Sequence, residues 1–123
     1  MEDALWKSMR FKILGVDNKP VSSSLELHME FVNKGGQRIR QAQVGWFWIS
    51  TVFLLIDHDF SFSGRSIHFE TMVFNHNKRV KNYAELDMNR YHTYEEAIKG
   101  HAAMVRKYRK IWNKRLKKLY AHM

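Results

Sequence analysis

An unbroken apolar run, Val44 to Ile56 (VGWFWISTVFLLI), constrains the fold of this 123-residue chain more than any other feature. Its β-branched and aromatic residues favour a β-strand. Both alternating sets of side chains are apolar, so both faces of the strand must be buried against other parts of the protein or another subunit. One set is Trp46, Trp48, Val52, Leu54 and Ile56, and the other is Phe47, Ile49, Phe53 and Leu55. At 13 residues the run is shorter than a membrane helix, which needs about 20 residues.

A second run, Ile67 to Phe74 (IHFETMVF), has a similar composition. The segment between the runs, Asp57 to Ser66, is polar and contains Gly64, as is typical of a hairpin loop. We therefore expect the two runs to pair as antiparallel strands. Residues 75–92 indicate a polar excursion with a short strand at its end.

A long amphipathic helix is predicted to begin at Thr93, because Thr93-Tyr94-Glu95-Glu96 fits a capping box. From there to Tyr120, apolar and basic side chains fall on opposite sides of a helix. The apolar side consists of Tyr94, Ile98, His101, Val105, Tyr108, Trp112, Leu116 and Leu119. Gly100 costs about 1 kcal/mol relative to alanine inside a helix. We therefore expect another backbone to approach it where the helix packs on the sheet.

The N-terminal part is less regular. Arg10 to Val16 predicts a strand, followed by a turn at residues 17–20. Ser22 to Val32 fits a strand by its alternating apolar residues, or a helix by the capping-box pair Ser23 and Glu26 and a stop at Gly35. The helix is favoured. Residues 1–123 are thus predicted to form one α+β domain, an antiparallel sheet of three or four strands packed on a long C-terminal helix.

The net charge of +9 is confined to the last 27 residues. Residues 1–96 hold twelve basic and twelve acidic residues, and no acid follows Glu96. The excess consists of Lys99, Arg106, Lys107, Arg109, Lys110, Lys114, Arg115, Lys117 and Lys118. This concentration indicates an anionic partner: nucleic acid, a nucleotide, an acidic protein surface or nucleic-acid-bearing host protein complex, or an anionic membrane. The membrane is disfavoured because the fold needs the apolar side of the helix. The alternative is a solvated basic face, with Tyr108 and Trp112 in the core rather than stacked on bases.

A second candidate site is a set of titratable residues in the motifs around the hairpin and the helix start. Its members are Asp57, His58, Glu70, Arg90 and His101. They permit a general base oriented by a carboxylate, or a two-histidine metal site. A buried histidine that hydrogen-bonds a carboxylate is the structural alternative, and it is favoured because no catalytic or metal-binding signature accompanies the set. We therefore predict no catalytic residues, metal or cofactor, with a small hydrolase using His58 or His101 with Glu70 as the alternative.

The chain contains no cysteine, which excludes disulfides, cysteine-ligated metals and thiol catalysis. Its start, MEDALWKSMR, lacks the order of a signal peptide. We expect a cytoplasmic protein without a membrane partner. Because one helix covers only one face of the apolar strand, we also expect self-association through the other face.

Three ordered motifs resemble a family of small proteins encoded by phages and prophages. They are Ser50 to Phe60 (STVFLLIDHDF), Phe69 to Phe74 (FETMVF) and Arg90 to His101 (RYHTYEEAIKGH). The family pattern looks like STVFLG-x-DH-x-F, FETMVF and RY-x-T-x-EEA-x-x-GH, with a glycine where this chain has Leu55. The resemblance implies a phage accessory protein in the host cell, and the family has no established biochemical activity that would indicate a mechanism. It permits an anti-defence role, such as inhibition of a CRISPR complex, or a structural role in a phage assembly.

Overall fold

The computed structural model describes residues 12–55, 57, 64–76 and 85–121, and its fold is α+β as predicted. The elements are β1 (Lys12–Leu14), β2 (Pro20–Ser22), α1 (Leu25–Asn33), β3 (Arg38–Val44), β4 (Phe47–Phe53), β5 (Phe69–Asn75), β6 (Glu85–Tyr91) and α2 (Tyr94–Ala121). β1 and β2 form a two-stranded sheet, and β3-β4-β5-β6 form a four-stranded antiparallel sheet in chain order. The long helix α2 packs on this sheet and contacts all four strands.

The predicted pairing of the two apolar runs is confirmed, but the first run is not one strand. β4 pairs with β5 over its whole length. β3 ends at Val44, and a turn at Gly45 and Trp46 reverses the chain into β4. Gly45 has φ 57°, a left-handed conformation that glycine adopts without steric cost, and a side chain there would overlap the ring of Trp112. The sequence is apolar on both sides of this turn, so the hydropathy pattern gives no indication of it.

The hydrophobic core lies between α2 and the sheet. Along β4, alternate residues are buried beneath α2 and their neighbours are half-buried on the opposite face. Two clusters make up the core: Val44, Phe47, Ile49, Val73, Met104 and Tyr108, and then Phe53, Phe69, Tyr91 and Ala97. Leu14 and Phe31 pack against the second cluster, so β1 and α1 close that end of the core. Trp46, predicted to share a face with Trp48, instead lies in the turn and packs on Trp112.

The ambiguous N-terminal segment is a helix, as favoured. Ser24, rather than Ser23, is the N-cap of α1, and its hydroxyl accepts a hydrogen bond from the N–H of Leu27 at 3.3 Å. The chain leaves this helix through Lys34 and Gly35. The predicted strand at the end of the polar excursion is also present as β6, while residues 77–84 and residues 58–63 of the predicted hairpin loop lie outside the described residues.

The helix α2 begins as the capping box predicts. The Thr93 hydroxyl accepts from the N–H of Glu96 at 3.1 Å, and the Glu96 carboxylate accepts from the N–H of His92 at 3.1 Å. The buried residues of α2 are Ala97, His101, Met104 and Tyr108. The predicted apolar side is wrong at its far end, because Leu119 is 61% exposed.

The contact at Gly100 also differs from the prediction. A β-carbon at this position would overlap the ring of Tyr91, so Gly100 accommodates a side chain of β6 and not another backbone. The absent side chain brings α2 close to the end of β6.

Gly100→Ala should therefore lower the free energy of unfolding, although alanine is the better helix former by about 1 kcal/mol. The new methyl group would collide with Tyr91, and overpacking of this kind costs about 1–3 kcal/mol. Urea denaturation measures the change, with Ala102→Gly at an exposed position of the same helix as the reference for propensity alone. A more stable Gly100→Ala protein would contradict the tight contact.

Candidate functional site

The nine C-terminal cations all lie on α2, and all are exposed. Four of them form a line along the helix, here called the basic stripe: Lys99, Arg106, Lys110 and Lys117. Their separations of seven, four and seven residues place each within about 20° of one direction at 3.6 residues per turn. The buried Tyr108 lies on the opposite side of the helix, so the stripe points away from the sheet. It extends for about 27 Å at 1.5 Å per residue.

Two of the nine cations are held by other side chains. Lys107 Nζ lies 2.6 Å from Asp87 Oδ2, and the Arg115 guanidinium lies over the rings of Trp46 and Phe47, at 5.8 and 5.4 Å from their centroids. Within the part of the chain that the structure describes, the other seven form no salt bridge with an acidic residue. Their charge is therefore not neutralised by the described residues.

Asp87 connects β6 to α2. Besides Lys107, the Tyr108 hydroxyl donates to Asp87 Oδ2 at 3.0 Å. The hydrogen bond from Lys107 holds the pKa of Asp87 below its usual value, whereas burial and the bond to Asp87 raise the pKa of Tyr108 to about 12. An open groove of about 270 Å³ adjoins this contact, lined by Asp87, Met88, Asn89, Gly100, Ala103, Met104 and Lys107.

The aromatic residues among the cations are largely occupied by the core, as predicted. Tyr108 packs edge-on against Phe47 at a centroid distance of 4.8 Å, and Trp112 packs against Trp46 at 5.1 Å. Tyr120, at the far end of α2, is 65% exposed.

The described residues of the second candidate site do not converge. Glu70 precedes Thr71 on β5, and consecutive strand residues point to opposite faces. Thr71 lies beneath α2 with His101, so Glu70 lies on the far face of the sheet. There its carboxylate accepts from Arg90 Nε at 2.8 Å across the β5–β6 pair. Glu70 is buried and Arg90 partly exposed, which makes this a structural ion pair.

The two remaining residues of the set lie at the loop. Asp57 accepts a hydrogen bond from the N–H of Ile67 at 2.7 Å, which joins the two ends of the hairpin connection. His58 lies outside the described residues. Among the residues that are described, only Glu70 and Arg90 of the set are in contact.

His101 belongs instead to a buried chain of hydrogen bonds. Its Nδ1 lies 2.7 Å from Thr51 Oγ1, which is 2.6 Å from Thr71 Oγ1, and the Tyr91 hydroxyl donates to Thr71 at 3.2 Å. Burial, and then the charge of Arg40, hold the pKa of His101 below its usual value. When Nδ1 of His101 is unprotonated, each of the three hydroxyls donates one hydrogen bond to the next group, in the order Tyr91, Thr71, Thr51 and Nδ1. The neutral imidazole is therefore the acceptor at the end of this chain.

The sequence interpretation missed the threonine partners of His101. Thr51 and Thr71 lie directly opposite each other on β4 and β5, within two apolar runs. A buried hydroxyl on a strand needs a hydrogen-bond partner, so a threonine within each apolar run already indicated that a polar side chain must lie next to it. The identity of the partner depends on where α2 crosses the sheet, so the local sequence does not contain it.

The described ranges contain no group of three or more His, Cys, Asp or Glu side chains placed to hold a metal ion. Among the same residues, neither helix combines the length and the apolar character that crossing a membrane requires. Comparisons of the chain with protein-family models, with curated proteins and with solved structures find no match.

Stability should fall as the pH drops below about 6.5, the ordinary pKa of histidine. Folding lowers the pKa of His101, so the unfolded chain binds more protons in this range and the free energy of unfolding rises with pH. His101→Asn does not titrate and keeps an acceptor near the position of Nδ1. Urea unfolding at pH 5 and pH 8 should show a smaller pH dependence in this variant than in the wild type. Equal dependence in both proteins would mean that His101 does not contribute.

Proposed function

We propose that this chain is a non-enzymatic protein that binds nucleic acid through the exposed cations of α2. The observation that carries the proposal is the basic stripe, whose cations face away from the sheet and form no salt bridge within the described residues. Proteins bind nucleic acid by replacing its condensed counterions with lysine and arginine. This exchange requires cations that are accessible and not already neutralised, and the stripe meets both requirements.

Two simpler explanations account for only part of this charge. Cations favour the negative end of a helix dipole, but the effect falls off within the last turn, where α2 has Lys118. Solubility favours a net charge of about 2–8 on a small domain, yet it does not require that the charge lie on one helix. The stripe begins at Lys99, about six turns before the helix ends. Its position therefore favours a partner over solvation.

The shape of this surface favours a polymer over a single nucleotide. The stripe extends for about 27 Å along a convex helix, whereas small-molecule sites are concave. The groove beside α2 is concave, but the carboxylate of Asp87 lines it and would repel a phosphate. An extended polyanion matches the arrangement better.

The resemblance to phage-encoded proteins supplies the proposed setting. We place the protein in the cytoplasm of the infected host cell, as an accessory protein that binds nucleic acid or a nucleic-acid-bearing host complex. Inhibition of a defence system such as CRISPR follows if that complex is its target. The hydrolase alternative gains no support for His101, because Glu70 and His101 lie on opposite faces of the sheet, and His58 lies outside the described residues.

A second copy of the chain is the partner proposed for the face opposite α2. Trp48, Val52, Met72 and Phe74 lie half-buried on that face, and Trp48 is paired in register with Phe74. We expect light scattering at micromolar concentration to give a mass above that of one chain. A monomer mass throughout this range would remove the oligomer from the proposal.

Reversing two cations of the stripe should weaken binding to nucleic acid without unfolding the protein. Both side chains in Arg106→Glu/Lys110→Glu are exposed, so the fold should persist. On duplex DNA, the slope of log K against log salt should fall by about 0.9 for each phosphate that the variant no longer neutralises. Fluorescence anisotropy with a labelled duplex over a range of salt concentrations measures both affinity and slope.

The matched control is Lys19→Glu/Arg38→Glu, which changes the net charge by the same amount at exposed positions away from α2. This control should retain most of the affinity. Equal losses in the two variants would assign the binding to net charge alone. No change in the stripe variant would leave the basic face as a solvated surface.

A further inference from the structure

The C-terminal part of α2 extends beyond the sheet. Leu119 follows His101 by eighteen residues, about five turns of helix, so both side chains point in the same direction. His101 is 8% exposed, whereas Leu119 is 61% exposed. The sheet therefore lies beneath the first of these positions and not beneath the second.

The last contacts with the sheet mark where the helix leaves it. Trp112 packs against the β3–β4 turn at Gly45 and Trp46. From the next turn of the helix, Arg115 reaches back over the rings of Trp46 and Phe47. We call residues 113–121 the overhang. It is about 13 Å long, and the contacts of Trp112 and Arg115 fix its base.

We propose that the overhang enters the major groove of a B-form DNA duplex, an inference that rests on the proposed function. The overhang carries Lys114, Arg115, Lys117, Lys118 and no acidic residue. A helix with its side chains is about 10–12 Å thick, and the major groove is about 12 Å wide and 8.5 Å deep. Free of the sheet, the overhang has the length and clearance to reach the full depth of this groove.

The directions of the overhang's cations suit a groove with two phosphate walls. Lys117 and Lys118 point about 100° apart around the helix axis, with Lys114 between them, while Arg115 is held at the base of the overhang by the rings of Trp46 and Phe47. Cations of the overhang can therefore approach both strands of the duplex. The part of the stripe that the sheet backs, Lys99, Arg106 and Lys110, presents its cations in one direction instead.

A single strand and an RNA duplex fit this element less well. Single-stranded nucleic acid is bound largely by stacking of successive bases on exposed aromatic rings. Tyr108 and Trp112 are packed in the core, and the exposed Tyr120 offers a single ring rather than a series of rings. The major groove of A-form RNA is too deep and narrow for side chains to read. A second copy of the overhang is disfavoured by repulsion between like charges, although exposed Leu119 and Tyr120 would suit a protein surface.

The test compares two variants that change the net charge equally, Lys114→Glu/Lys118→Glu in the overhang and Arg106→Glu/Lys110→Glu in the stripe, and all four side chains are exposed. Each is titrated by anisotropy against a DNA duplex, an RNA duplex of the same sequence and a single DNA strand. The wild type should bind the DNA duplex tightest. The overhang variant should lose on the order of tenfold or more on that duplex, and proportionally less on the other two probes. Circular dichroism should confirm that both variants are folded.

Equal affinity of the wild type for the DNA and RNA duplexes would overturn the inference and leave the proposed function standing. So would an overhang variant that loses no more than the control Lys19→Glu/Arg38→Glu. If the wild type binds none of the three probes, the proposed function itself fails. Self-association that Leu119→Ser abolishes, with unchanged DNA binding in Lys114→Glu/Lys118→Glu, would assign the overhang to a protein contact instead.

Discussion

The packing of α2 on the sheet depends on one buried polar contact, the hydrogen-bonded chain from Tyr91 through Thr71 and Thr51 to His101. A buried hydroxyl or imidazole left without a partner costs about 1–3 kcal/mol, so each member of the chain requires the others. The chain spans three strands and the helix. Gly100 has no side chain, so the Tyr91 ring packs directly against the helix there. Gly100 and its neighbour His101 together fix how close α2 comes to the sheet and which side of the helix faces inward.

The orientation of α2 about its own axis determines which of its side chains a partner can contact. With His101 and Tyr108 inward, the basic stripe on the opposite side of the helix must face solvent. A second anchor lies at the β3–β4 turn, where Trp112 occupies the space above Gly45 and Arg115 covers Trp46. Between the two anchors the helix is backed by the sheet, and beyond the second its described residues are exposed except for the half-buried Leu116. The two proposed binding elements, stripe and overhang, therefore follow from the positions of the two anchors.

Local patterns predicted the elements that depend on neighbours in the sequence. The capping box at Thr93 and the pairing of the two apolar runs were found where the pattern indicated, and the first helix is capped one residue after the predicted Ser23. The turn at Gly45 was missed, because an apolar run continues through it and the left-handed conformation of one glycine leaves no trace in hydropathy. The second candidate site was proposed because its residues lie in or beside neighbouring motifs of the sequence. Side chains alternate along a strand, so Glu70 and His101 lie on opposite faces of the sheet.

The sequence by itself determined the composition of α2: its start, its amphipathic period and the confinement of all excess charge to its length. These features depend on residues only a few positions apart, and the helical repeat then fixes which of them share a side. Only the tertiary structure decided which part of that helix is covered. A four-stranded sheet is about 15 Å wide between its outer strands, and seven-residue strands are about 23 Å long. A 28-residue helix is about 42 Å long, which exceeds even the diagonal of this sheet, so part of the amphipathic side is not covered. Leu119 is exposed for this reason, since the width of the sheet and the crossing position of the helix depend on contacts between residues far apart in the chain.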